Sequence, residues 1–161
     1  MDIVNQWKEI KTHFRKSFAS NLHIVIASVD AEGQPSATPI GSLFLNQDQT
    51  GFYFEKFPHK LFEASKANAQ VCILGVNSSF WFWIKSLFYG KFNYVPAIKL
   101  YGQLGIKRKA TDRELQRLKR RMKYVSWLKG SKYLWSDMEM VREITFTKTE
   151  IINLGKMTES L

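Results

Sequence analysis

The stretch LHIVIASVDAEGQPSATPIGSLFLNQDQTGFYFEKFPHK, residues 22–60, decides the fold. It reads as three strands and two turns, followed by a change of period. Residues 22–29 are rich in branched apolar side chains, which suit a pleated and half-buried surface. Asp30-Ala31-Glu32-Gly33 follows, and a glycine in the fourth place takes the positive φ that closes a hairpin. Residues 34–45 return as a second strand, residues 46–51 form a polar turn, and residues 52–55 make a third strand. At Pro58 the spacing becomes helical: Pro58 suits a first turn, and Leu61, Phe62, Ala64 and Ser65 mark one face of a helix over 58–68.

On the N-terminal side, Ile3, Trp7, Ile10, Phe14 and Phe18 recur at helical spacing, which predicts an amphipathic helix over 1–20. On the C-terminal side, residues 70–76 are a fourth strand and residues 97–105 a fifth. Residues 77–96 between them are heavy in aromatics and read as an irregular insertion. Thr111-Asp112-Arg113-Glu114 has the form of a capping box and opens a basic helix over 110–125, with Leu115, Leu118, Met122 and Val125 as its inward stripe. Residues 127–140 fit no period, and residues 141–153 are the closing strand. The expected class is α+β: one antiparallel, barrel-like sheet with flanking helices, in a single domain over 1–161.

The chain's 161 residues match one domain, and 45% hydrophobic against 24% charged residues is globular composition. No apolar run reaches the roughly 18 residues that span a bilayer, and the N-terminus is too charged for a secretory leader. The expected location is therefore the cytoplasm, with no membrane partner, since no long amphipathic run appears. The single cysteine, Cys72, excludes an internal disulfide and reads as a small core residue. His13, His23 and His59 share no ligand spacing, so no metal site is expected. Nucleophile-elbow, P-loop and dinucleotide-fingerprint motifs are all missing from the sequence.

Twenty-four Lys and Arg against 14 Asp and Glu give a net charge of +10, which calls for an anionic partner. One place offers the chemistry of a phosphate site. A helix beginning near Pro58 would present free N–H groups and a positive dipole end beside Lys56, His59 and Lys60. A basic surface loop would have the same composition, and spacing alone does not separate the two.

The order of these segments resembles the FMN-binding split barrel of the pyridoxamine 5′-phosphate oxidase-like family. The resemblance covers most of the chain: the strand over 22–29, Gly33-Gln34-Pro35, the second strand, Phe52-Tyr53-Phe54, the basic pair His59-Lys60, the short helix, and the later strand, helix and closing strand. It implies a split β-barrel, antiparallel and Greek-key-like, that forms a homodimer with FMN at the subunit interface. It also implies an oxidoreductase, with NAD(P)H or a small molecule as the reaction partner. His59 and Lys60 then occupy the place of the family's phosphate-gripping Arg-Lys pair; Lys60 matches, while His59 loses a bidentate grip and makes phosphate affinity pH-dependent. Pro39, Ile40, Gly41 and Ser42 would line the isoalloxazine ring, and Phe54 and Glu55 would flank its polar edge and ribityl chain, next to Lys56.

There are departures. Thr38 and Leu43 stand where the family's oxidases carry an Arg and a Lys. Pro58 replaces a Ser, and Asn153 aligns with the Trp that reaches the partner's flavin. These argue against pyridoxamine phosphate as substrate and leave a flavin-like ligand or haem open, bound for catalysis or for sensing.

Three further segments carry alternatives. Phe80-Trp81-Phe82-Trp83 through Tyr89 could wall the flavin, pack on the barrel or a dimer seam, or, least favoured, lie on a membrane surface. Residues 107–123 hold nine Lys or Arg against two acids. They read as a solvated face, a funnel for an anionic cofactor, or, least favoured, a nucleic-acid surface. Trp135, after the loop at Gly130, could cover a partner's flavin or fill the core.

Overall fold

The computed structural model describes residues 2–56, 61 and 68–161. The helix expected over 58–68 thus lies outside the described residues, apart from Leu61 and Asn68.

Helix α1, Trp7–Asn21, forms on the predicted apolar stripe but starts six residues later than the expected 1–20, residues 3–6 being a turn, and it buries Trp7, Ile10 and Phe14. It ends at Leu22, in left-handed conformation at φ 62°, whose N–H donates to the Phe18 carbonyl at 2.9 Å. Strands β1, Ile24–Val29, and β2, Pro35–Ile40, form the first hairpin. Asp30 Oδ1 accepts the N–H groups of Glu32 and Gln34 at 3.1 and 2.8 Å, and Gly33 takes φ 83°.

The single strand expected over 34–45 is two strands. β2 stops at Ile40, and β3, Leu43–Leu45, pairs with a different neighbour, β4, Thr50–Phe54. Ser42 Oγ bonds both the N–H and the carbonyl of Phe54 at 3.2 Å, so the chain is drawn across to β4 at this point. Then come β5, Gln70–Val76, α2, Phe80–Tyr89, and β6, Ala97–Lys109. Next are α3, Asp112–Met122, α4, Lys129–Trp135, and β7, Met140–Ile151, before a terminal 3-10 turn at Gly155–Thr158.

The order across the sheet is β2-β1-β5-β6-β7-β4-β3, antiparallel throughout. The two edges, β2 and β3, are consecutive in the chain and joined by Gly41 and Ser42 alone. Two residues span about 7 Å at most, so the sheet must curl until its edges nearly meet. The result is an α+β split barrel.

Two findings correct the sequence reading. Residues 77–96 are not irregular: Phe80–Tyr89 is helical, closed by Gly90 at φ 65°. Apolar residues at almost every place hid the period. Cys72 is half-buried rather than in the core, because strand alternation sends Val71 and Ile73 inward instead.

The core has two parts. Inside the curl, Ile26, Ile73, Leu100, Ile144 and Tyr53 pack under Trp7, Ile10 and Phe14 of α1. Outside it, Phe44, Phe52, Phe54 and Val141 pack under Leu118 of α3. Strand β4 is therefore buried on both faces, Tyr53 to one side and Phe52 and Phe54 to the other.

Candidate functional site

The junction between β2 and β3 gathers several of the residues singled out in the sequence. Gly41 lies under the indole of Trp135: a Cβ built on Gly41 would meet Trp135 Cη2 at 2.5 Å. Only glycine leaves this notch, and the Cη2–Cζ2 rim of the indole enters it. Ser42 is buried, its hydroxyl spent on the Phe54 backbone. Lys56, just past β4, donates to the carbonyls of Tyr133 and Ser136 at 3.2 and 2.6 Å. A cation thus sits at the C-terminal end of α4, where the last carbonyls and the dipole favour one, and this fixes α4 over the junction. Pro39 is exposed on the approach.

Other expected residues are committed elsewhere. The side chains of Ile40 and Phe54 point into the two cores and are 4% and 2% exposed, so neither flanks an open site. Glu55 does not face a ligand. Its Oε1 accepts from Arg142 Nε at 2.8 Å and Tyr53 Oη at 3.1 Å, and its Oε2 accepts from Arg142 Nη2 and Lys107 Nζ, each at 3.1 Å. Burial pushes the Glu55 carboxyl up, but Arg142 and Lys107 outweigh it and hold it below the ordinary value. Burial raises the Tyr53 phenol, so it serves as a donor here and not as a base. Asn153 lies past the far end of β7 from the Val141–Phe54 pairing, where its Oδ1 accepts from Gly155 N and Thr158 Oγ1. Within one chain it caps the terminal turn and takes no part in the junction. His59 and Lys60 lie outside the described residues.

The sequence reading missed Arg117 and Arg121. It assigned their helix face to leucines and treated the charges as solvated. Arg121 Nη1 donates to the carbonyls of Leu43 and Gly41 at 2.6 and 3.4 Å, and its guanidinium lies 3.6 Å from the Phe44 ring centroid. Burial, then the charge of Arg117, pull its pKa down to about 10. Arg117 bonds Asn46 Oδ1 and the Leu45 carbonyl at 2.8 and 3.0 Å. Both follow Glu114 at helical spacing, i+3 and i+7, which was the available signal. With Arg108 bound bidentately to Glu114 and also to Glu143, and Lys107 on Glu55, at least four of the nine cations over 107–123 face the protein's own groups. That weakens the nucleic-acid reading.

Between α3 and α4 a cleft of about 710 Å³ opens, lined by Leu115, Leu118, Met122, Trp135 and Met138. Trp135 therefore stands between Gly41 and open space. Among the described residues, no group of three His, Cys, Asp or Glu side chains could hold a metal ion. None of the described helices is long and apolar enough to cross a membrane.

This split-barrel fold is shared with solved structures of an FMN-binding protein and of candidate pyridoxamine 5′-phosphate oxidases. An FMN-binding protein from Syntrophomonas wolfei superposes with a TM-score of 0.61 at 14% identity, over 94% of this chain and 95% of that one. A candidate pyridoxamine 5′-phosphate oxidase from Lactobacillus delbrueckii gives 0.53 at 16%, over 88% and 91%. The haem storage protein HutZ from Vibrio cholerae gives 0.55 at 15%, over 89% and 92%. No protein-family model matches the sequence, nor does any curated protein sequence. At these identities the likeness shows the fold.

Proposed function

We propose that the protein binds FMN at the β2–β3 junction and uses it as an oxidoreductase in the cytoplasm, with two chains closing over the flavin. The observation that carries this is the Gly41 notch, a place without a Cβ that already admits the rim of a planar aromatic ring. An isoalloxazine has the same flat, apolar faces, and the cleft beside Trp135 gives the indole room to withdraw. In this reading Gly41 and the backbone of Ser42 support the ring. Arg121, through the Gly41 carbonyl, holds the strand in place. Lys56, with His59 and Lys60, supplies positive charge for the phosphate. Bound flavin supplies acceptance of a hydride or electron pair; the chain's share is to bind, orient and exclude water. Glu55 and Tyr53, locked in their buried cluster, donate or accept no proton in that chemistry.

Similarity to a haem storage protein raises a second ligand, but the described histidines do not support it. His13 is buried against the Gly75 carbonyl at 2.8 Å, and His23 lies exposed just ahead of β1. The test is titration of the purified protein with FMN and, separately, with haemin. Saturable flavin binding with quenched tryptophan emission supports the reading. A Soret band with no flavin uptake refutes it. Reduction of the bound flavin by NADH or NADPH then tests the oxidoreductase step.

A further inference from the structure

Helix α2 is packed inside out. Its fully buried side chain is Ser86, whose hydroxyl donates to the Phe82 carbonyl at 2.7 Å. Its outward face carries Phe80, Trp81, Ile84, Leu87, Phe88 and Tyr89, with Trp81 77% and Phe88 82% exposed. This face does not belong to a loose flap. Phe82 and Trp83 pack on buried Phe92 with ring centroids 5.4 and 5.2 Å apart, and Trp83 Nε1 donates to the Asn77 carbonyl at 2.7 Å. A contiguous apolar patch on a fixed helix is unfavourable in water and marks a contact surface.

The surrounding charge says what it contacts. Lys85 stands within the outward face, and Lys91 follows the capping Gly90. Lys16 of α1 lies 4.4 Å over the ring of Tyr94. Lys156 belongs to the terminal turn, where the Met157 carbonyl accepts the Phe92 N–H at 2.8 Å. From residue 64 to residue 111 the sequence contains no Asp or Glu. Glu159 follows the terminal turn, but within residues 64–111 Trp, Tyr and Phe interspersed with Lys and free of acids is the chemistry of an anionic membrane interface, where rings enter the headgroup boundary and ammonium groups meet lipid phosphates. A second copy fits less well. A two-fold contact through this face would bring Lys85 and Lys91 toward their own counterparts with no carboxylate from this segment to pair them. With 10 residues, α2 is about 15 Å long and too short to span.

We infer that α2 seats the protein peripherally on anionic lipid bilayers. This departs from the sequence-based expectation of no membrane partner, which rested on the want of a long amphipathic run. It is independent of flavin binding.

The test is co-sedimentation of the full chain with vesicles of phosphatidylglycerol and phosphatidylcholine, against vesicles of phosphatidylcholine alone. Binding to the mixed vesicles should be more than about tenfold tighter and should weaken as salt is raised. Trp81→Ser with Phe88→Ser should abolish it, and Lys85→Glu with Lys91→Glu should weaken it more than about tenfold. Circular dichroism checks that each pair keeps the fold, and the lysine pair decides the matter if the aromatic pair does not fold. Equal binding to both vesicle types, no binding to either, or folded variants that bind like the parent would overturn the inference. So would an aromatic pair that changes the oligomeric state of a protein that does not bind vesicles, since a second copy would then cover the face.

Discussion

Gly41 has room for an aromatic rim only because it carries no side chain, and Trp135 already uses that room. A flavin ring bound as proposed would compete with the indole, and two substitutions should act in opposite directions. Gly41→Val places a Cβ 2.5 Å from Trp135 Cη2 and fills the notch, so FMN affinity should fall more than about tenfold while the circular dichroism stays native. Trp135→Ala empties the notch and should tighten FMN several-fold, because the competent state no longer waits on the indole leaving. Calorimetric titration of both variants reads this directly; a ring bound elsewhere would leave both affinities unchanged. Glu55 gives a stability prediction instead. Arg142, its side chain 8% exposed, is the main partner of a carboxylate that is 4% exposed. Arg142→Ala leaves that charge buried with less compensation and should cost roughly 3–5 kcal/mol in urea denaturation. Lys107→Ala, at a side chain 40% exposed, should cost far less.

At the level of the element, α1 and α3 each tie stability to pH. His13 of α1 donates Nε2–H to the Gly75 carbonyl, and burial lowers its pKa below 6.5. The unfolded chain then takes up that proton first, so stability is complete above pH 6.5 and declines as the pH falls below it. In α3, the Arg108 guanidinium holds Glu114 down at about 2 against 4.5, so a second loss runs from pH 4.5 downward. His13→Gln should remove the first phase and keep the second, as urea midpoints measured against pH will show. Thr111→Ala removes the cap on α3 and should cost about 1 kcal/mol. These two helices also show what was legible in the sequence. The stripe of α1 and the capping box of α3 appear as written, since each depends on neighbours within one turn. The break at Gly41–Ser42 did not, because only pairing with β4 and the bonds from Ser42 to Phe54 end the strand there. Ile40 and Phe54, expected beside the ligand, instead face the two cores. A family resemblance fixes position along a strand, whereas side-chain direction depends on which of two cores each residue meets.

Across the whole molecule, the curled sheet leaves the β2–β3 junction at its seam, and in the proposed reading one chain would supply only part of the flavin site there. Gly41 and Ser42 give a floor, Lys56 and α4 one side, and Asn153 sits at the other end of β7. A residue so placed reaches a flavin only if a second chain brings it, as the split-barrel resemblance implies with its closing-strand residue. If two chains share the site, flavin binding and dimerisation are linked. FMN should then drive monomers into dimers, and its apparent affinity should weaken on dilution below the dimer dissociation constant. Sedimentation velocity across a dilution series, with and without FMN, measures both effects. Asn153→Ala should weaken FMN only in the dimer, and mixing it with Gly41→Val chains should restore part of the binding, because one of the two sites in a mixed pair keeps both native residues. A monomer that binds FMN with the same affinity at every protein concentration would place the whole site within one chain and remove Asn153 from it.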